Sequence, residues 1–164
     1  MSVHPTSPSG PDAGAWAPFV AELTALVLAL ADGSRVTVRA SSQAARPVRL
    51  RKARLGGFIP AKHESVAPWV SLVRTEDHLR GVCVGPEALG GSFPLSPEED
   101  AALRALGWHH PTRGEGRDYI RFWPDDVPQG PFLPGEDADR AATMVASTFR
   151  EVLSPGVDPP TITG

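Results

Sequence analysis

The stretch LSPEEDAALRALGWHHPTRGEGRDYIRFW, residues 95–123, decides the fold class of this 164-residue chain. Its residues 96–99, Ser-Pro-Glu-Glu, are typical of a capping box with proline at the first helical position. Apolar residues at helical spacing follow, and Gly107 ends the predicted helix. Trp108 then begins a short predicted strand, and the alternation at 119–123 predicts a second one. A helix followed directly by two strands indicates a mixed fold.

Further strands precede this stretch. Residues 66–75 (VAPWVSLVRT) and 78–85 (HLRGVCVG) form the clearest predicted hairpin. Residues 34–40 (SRVTVRA) alternate apolar and polar side chains, which predicts a half-exposed strand. Residues 47–55 (PVRLRKARL) are a possible additional strand, and residues 56–65 are expected to be a loop.

Helices begin and end the predicted domain. Apolar residues at helical spacing from Trp16 to Leu30 predict a first helix, which stops before Gly33. A last helix is predicted over about 137–153. The order α-β-(β)-β-β-α-β-β-α predicts an α+β fold, a mainly antiparallel five- to six-stranded sheet with three helices on one face.

The ends of the chain differ in composition from its middle. Residues 1–14 and 154–164 are rich in Pro, Gly, Ser and Thr, so we expect both to be disordered tails around a single domain at 15–153. The single cysteine, Cys83, excludes an intrachain disulfide. No basic region followed by an apolar stretch opens the sequence, and no segment is apolar enough to span a bilayer. We therefore expect a cytoplasmic protein without membrane contact.

Charge is distributed unevenly. The net charge is −3, yet residues 35–80 carry ten Lys and Arg against three acids, whereas residues 81–164 carry six against thirteen. The basic part could face a polyanion or an acidic protein, or its arginines could simply be the outward residues of amphipathic strands.

Reaction chemistry has no motif in this sequence. The acids at 98–100 suit the first turn of a helix. His109 and His110 are adjacent on a strand, so their side chains point to opposite faces and do not share an ion. No phosphate-binding glycine motif and no nucleophile elbow is present. We therefore expect no catalytic, cofactor-binding or metal-binding residues, and a protein that is not an enzyme.

Two kinds of side chain are candidates for contacting a partner. The first helix is apolar over an arc wide enough to be deeply buried or shared with a partner. An exposed tryptophan would anchor a protein partner, and the basic segment offers arginines. The predicted partner-binding residues are Trp16, Phe19, Leu23, Arg49, Arg51, Arg54 and Trp69.

Four stretches carry a resemblance to a known family. WVSLVRTEDHLRGVCV, LSPEEDAALRALGW, DYIRFW and AATMVASTFREVL together resemble the actinobacterial type of TY-Chap/YbjN-like protein over residues 66–153. The resemblance implies a type III secretion chaperone-like fold, which runs helix, three antiparallel strands, helix, two strands, helix. It also implies a non-enzymatic protein-binding module, often dimeric. The chain departs from the family pattern by a basic insertion at 41–65, which includes RLRKAR.

We therefore predict a chaperone-like or adaptor module that binds a client or partner polypeptide as a homodimer, without a cofactor. The alternative is a regulatory protein that contacts nucleic acid or another polyanion through the basic segment 35–62. Such contacts would weaken steeply with salt, and the acidic second half of the chain opposes them. The basic residues of this alternative are Arg35, Arg39, Arg49, Arg51, Lys52, Arg54 and Lys62.

Overall fold

The computed structural model describes residues 13–51, 62–76, 78–111, 116–124 and 134–164. The helices are α1 (Ala13–Ala29), α2 (Pro97–Ala105) and α3 (Gly135–Ser147), and a π-helical turn (Thr148–Leu153) continues α3. The strands are β1 (Arg35–Arg39), β2 (Arg46–Arg51), β3 (Lys62–Val66), β4 (Trp69–Thr75), β5 (His78–Cys83), β6 (Tyr119–Trp123) and β7 (Thr161–Thr163).

The strands form two antiparallel sheets. The larger sheet has five strands in the order β6-β5-β4-β1-β7, and β2 pairs with β3 in a separate hairpin. Together with the three helices, this arrangement confirms the predicted α+β class. The β4–β5 hairpin predicted from the alternating sequence is present, with Val70 opposite Cys83 and Leu72 opposite Gly81.

One face of the five-stranded sheet packs against α1 and α3. Val36 and Val38 of β1 lie opposite Leu72 and Val70 of β4, and all four are buried in the same core as the inner sides of the two helices. Successive side chains of a strand point to opposite faces, so this packing also decides which residues are left on the other face.

The capping box predicted for α2 is present. The backbone N–H of Glu99 donates to Ser96 Oγ at 3.2 Å, and the N–H of Ser96 donates to Glu99 Oε2 at 2.9 Å. Gly107, with φ of 107°, follows the end of the helix. This reciprocal pair satisfies two backbone donors that the first helical turn leaves without partners.

Two expectations about strands need correction. The segment expected to be a loop at 56–65 contains β3, because Lys62–Ser65 pair with β2. The strand expected at Trp108 is reduced to a single bridge between His109 and Ile120.

The C-terminal segment is also different from the expectation. Residues 154–164 were expected to be a disordered tail, but Thr161–Thr163 form β7 on the edge of β1. Ile162 lies opposite Val38 and packs partly against the core, and Thr163 Oγ1 donates to the carbonyl of Thr37 at 3.2 Å. The unpaired edge of β1 supplies the partner that this short segment lacks in isolation.

Two tryptophans meet over a glycine inside the core. The rings of Trp108 and Trp123 are perpendicular, with centroids 6.2 Å apart. Trp108 Nε1 donates to Thr148 Oγ1 at 2.8 Å, which joins the end of α2 to the π-helical turn. A Cβ atom on Gly81 would lie 2.7 Å from Trp123 Cζ3 and 3.2 Å from Trp108 Cη2. The indole pair therefore occupies space that exists only because residue 81 has no side chain.

We predict that Gly81→Ala lowers the free energy of unfolding by about 1–3 kcal/mol, because the added methyl group overpacks a buried site. Urea unfolding followed by circular dichroism measures this loss. Gly14→Ala in α1 is the matched control, because nothing lies within 4 Å of its Cβ position. Its stability should be unchanged or higher by up to about 1 kcal/mol. Equal stability of the two variants would contradict the role assigned to the indole pair.

Candidate functional site

The face of the five-stranded sheet that points away from α1 and α3 is the main candidate surface. Alternation along each strand and the pairing register determine its members. We call it the open face, and its residues on β1, β4, β5 and β6 are Arg35, Thr37, Arg39, Trp69, Ser71, Val73, Thr75, His78, Arg80, Val82, Ile120 and Phe122.

Four apolar side chains lie on three neighbouring strands of this face. Val82 lies opposite Ile120, while Arg80 lies between Val73 on β4 and Phe122 on β6. We call Val73, Val82, Ile120 and Phe122 the open patch. Phe122 is 41% exposed, and the other three are partly accessible to solvent. Apolar side chains grouped on an accessible sheet face are typical of an interaction site.

The open face is closed at one end. Val84 is fully buried, and its N–H donates to the carbonyl of Trp69. Trp69 itself is half-buried and packs against the core. The accessible area therefore begins beyond this end, at the open patch.

The charges on the open face have one sign. Arg35, Arg39 and Arg80 are exposed there, and no Asp or Glu is among the face's residues given above. His78 lies beside Phe122, with ring centroids 5.8 Å apart. The surface therefore combines apolar area with positive charge.

A second candidate surface lies on the opposite side of the molecule, along α1. Leu26 and Leu28 are 40% and 46% exposed, and Ala17, Ala21 and Ala25 are exposed as well. Beside this helix lies a groove of about 450 Å³ between α1 and α3. The groove is lined by Trp16, Ala17, Val20, Ala21, Asp139, Thr143, Ala146, Ser147 and Arg150.

The structure separates the residues predicted to bind a partner. Trp16, Phe19 and Leu23 are buried on the inner side of α1, where they form part of the core. Trp69 lies at the closed end of the open face.

Two of the predicted arginines lie in the β2–β3 hairpin. Arg49 and Arg51 are in β2, opposite His63 and Lys62 of β3. Arg54 lies outside the described residues.

An arginine of β2 connects the β2–β3 hairpin to α2. Arg46 of β2 donates from Nη1 and Nη2 to the two carboxylate oxygens of Glu99, at 2.8 and 2.6 Å. Its guanidinium also lies 4.8 Å from the centroid of the Phe93 ring. The hydrogen bond with Arg46 lowers the pKa of Glu99, and the same bond raises the pKa of Arg46. This residue of the basic segment is therefore engaged within the chain.

Asp100 joins the first turn of α2 to β6. It accepts a hydrogen bond from the hydroxyl of Tyr119 and is 3.3 Å from His110 Nε2 and 3.1 Å from Arg104 Nη2. Burial and the hydrogen bond to Asp100 raise the pKa of Tyr119, so its hydroxyl stays protonated and acts as a donor. These contacts link the two elements.

The buried thiol and the histidines offer little further chemistry. Burial raises the pKa of Cys83, which keeps the sulfur in its unreactive protonated form. Within the part of the chain that the structure describes, no group of three or more His, Cys, Asp or Glu side chains is arranged to hold a metal ion.

None of the four residues of the open patch was among the partner-binding residues predicted from the sequence. The alternation in HLRGVCV and DYIRFW assigns Val82, Ile120 and Phe122 to one face of their strands. It does not reveal which face the helices cover, and that is decided by contacts between elements distant in the sequence.

Comparison with known proteins agrees with this architecture. The model of the family TY-Chap3, described as T3SS (YopN, CesT) and YbjN peptide-binding chaperone 3, matches residues 11–162. The match covers nearly the whole chain, so the protein belongs to this family of peptide-binding chaperones. The predicted membership of the TY-Chap/YbjN-like family is thereby confirmed. No curated protein and no solved structure shows a significant match. Among the described residues, no helix has the length and apolar character that crossing a membrane requires.

We predict that Glu99→Gln destabilises the protein by about 1 kcal/mol near neutral pH, because a charged hydrogen bond to Arg46 becomes a neutral one. The folded-state pKa of Glu99 is lowered. Its charged form therefore stabilises the fold above the unfolded pKa of about 4.3, and this stabilisation is lost as pH falls through the lower folded pKa. Urea unfolding should show the difference shrinking as the pH falls below the unfolded pKa of about 4.3.

Glu136→Gln is the control for this experiment. Glu136 also lies in the first turn of a helix and pairs with an arginine, Arg140, at 2.6 Å, but the two side chains are 74% and 63% exposed. An exposed pair contributes between about 0 and 1 kcal/mol. A pH-independent loss in Glu99→Gln would show that the charge of Glu99 is not what attaches the hairpin.

Proposed function

We propose that this protein is a non-enzymatic chaperone that binds an extended segment of a client polypeptide on the open patch. The observation that carries the proposal is the presence of four accessible apolar side chains, Val73, Val82, Ile120 and Phe122, on neighbouring strands of the sheet face opposite the helices. Membership of a peptide-binding chaperone family supports it.

The shape and chemistry of the patch suit an extended segment. Neighbouring strands are about 4.8 Å apart, so the width from β4 to β6 is about 10 Å, and alternate side chains of an extended peptide are spaced at about 6.7 Å. Two or three apolar side chains of a client therefore span the patch. Each client side chain buried there stabilises the complex by about 25 cal/mol for every Å² of apolar area that it removes from water.

We predict that Phe122→Ser weakens peptide binding about tenfold, because a partly exposed aromatic anchor is lost while the core is left intact. The protein is first applied to an array of immobilised synthetic peptides of varied sequence. The strongest binder is then labelled, and its affinity is measured by fluorescence anisotropy.

Leu89→Ser is the matched control for Phe122→Ser. Leu89 is 49% exposed and lies in the 3₁₀ turn Glu87–Leu89, which contributes no residue to the open patch. Its variant should bind peptide as the unmodified protein does. Equal losses in the two variants, or none in either, would place the binding site elsewhere.

We also propose that the protein acts as a cytoplasmic homodimer that pairs through α1. The proposal is supported by the composition of this helix, which is apolar nearly all round and has Glu22 as its single charged residue. A helix with apolar residues on every side is normally covered on every side. Because Ala17, Ala21 and Leu28 share the exposed side, an antiparallel copy would place each Leu28 against the small residues of its partner.

We predict that the unmodified protein sediments as a dimer at micromolar concentration and that Leu28→Glu sediments as a monomer. A carboxylate inside an apolar helix pair is desolvated without a partner, which strongly opposes association. Analytical ultracentrifugation measures both states. Leu89→Glu, at a similarly exposed leucine, should remain dimeric. A monomeric unmodified protein would refute the dimer and leave the peptide site unaffected.

A further inference from the structure

The three arginines of the open face have no carboxylate partner among the described residues. Four arginines outside that face have a carboxylate oxygen within 3.4 Å, and they are Arg46, Arg104, Arg140 and Arg150. Within the described part of the chain, Arg35, Arg39 and Arg80 have no such ion pair. Arg39 makes one long hydrogen bond, 3.4 Å from Nη1 to the carbonyl of Ala67.

Two of these arginines lie directly beside apolar residues of the open patch. Across the sheet, Arg35 on β1 is opposite Val73 on β4, Val73 is opposite Arg80 on β5, and Arg80 is opposite Phe122 on β6. Cationic and apolar side chains therefore alternate along one row. The spacing of strands places the backbones of the two arginines about 10 Å apart, on either side of Val73.

Resting on the proposed function, we propose that the open patch selects acidic client segments, in which Asp or Glu side chains flank aliphatic or aromatic ones. The apolar residues of such a segment cover the open patch, and its carboxylates pair with Arg35 and Arg80, which flank Val73. Guanidinium groups bind carboxylates through two parallel hydrogen bonds, so the interaction depends on orientation as well as on charge. A basic segment meets like charges at the same positions and is rejected.

The chemistry of the patch favours a peptide over a single-stranded nucleic acid. Bases bind protein surfaces mainly by stacking on aromatic rings. Three of the four members of the open patch are aliphatic, and the ring of Phe122 already has His78 beside it at an interplanar angle of 55°. Aliphatic side chains next to arginines match a polypeptide that carries both apolar and acidic residues.

The test uses the full chain and three labelled synthetic peptides of equal length. All three have the same Val and Phe residues, and the positions between them are Glu in the first peptide, Gln in the second and Lys in the third. Fluorescence anisotropy should show that the Glu peptide binds about three- to tenfold more tightly than the Gln peptide, with the Lys peptide weakest. Added salt should reduce this preference, since the charges are exposed.

Substitutions of the arginines test whether these residues cause the tighter binding of the Glu peptide. Arg80→Gln and Arg35→Gln should each reduce the advantage of the Glu peptide and leave the affinity for the Gln peptide nearly unchanged. Arg140→Gln, which removes an exposed arginine of α3, is the control and should leave the advantage intact. A preference that persists in both Arg80→Gln and Arg35→Gln would overturn the assignment to the open face.

The remaining outcomes separate this inference from the function on which it rests. Equal binding of the Glu and Gln peptides, with both lost in Phe122→Ser, would overturn the charge selection while the peptide site stands. Failure of all three peptides to bind would overturn both. A single-stranded oligonucleotide that binds more tightly than the Glu peptide, and loses affinity in Arg80→Gln, would assign the face to nucleic acid instead.

Discussion

The contact of Trp108 and Trp123 over Gly81 is the constraint on which the rest of the structure depends. It joins the end of α2, the middle of β5 and the end of β6, and the hydrogen bond from Trp108 to Thr148 extends it to the turn after α3. Neighbouring residues of a strand point to opposite faces, so Trp123 in the core requires Phe122 to be outside. The position of the open patch therefore follows from the packing on the other side of the sheet.

The elements that could be predicted from the sequence are those whose signals lie within a few neighbouring residues. Ser96 and Glu99 mark the start of α2 because the capping box is made within one helical turn, and the β4–β5 hairpin follows from alternation on both sides of a short turn. β7 could not be predicted in the same way, since three residues after a proline-rich segment become a strand only where the edge of β1 is available. β3 has exposed residues on both faces, so its sequence has no alternation to recognise.

The candidate surfaces required knowledge of the tertiary packing. The apolar residues of α1 indicate a helix that is covered widely, but they do not distinguish the side covered by α3 from the side left exposed. Trp16 and Phe19 proved to be on the covered side, whereas Leu28 is on the exposed one. The exposed side of α1 and the open patch lie on opposite sides of the sheet. A copy bound to α1 therefore leaves the open patch free, and a dimer would present two such patches to one client, which raises the effective concentration of the second contact.

The pairing of β7 with β1 has a consequence for the order of folding. The hydrogen bond between Thr163 and Thr37 joins residues that are 126 positions apart. Closing so long a loop costs conformational entropy before the contact contributes any stability, so contacts of this kind form after the local hairpins. An interaction that is absent when the barrier is crossed changes the rate of unfolding more than the rate of folding. The short strand at the edge of the sheet thus contributes to how long the folded state persists, and little to how quickly it is reached.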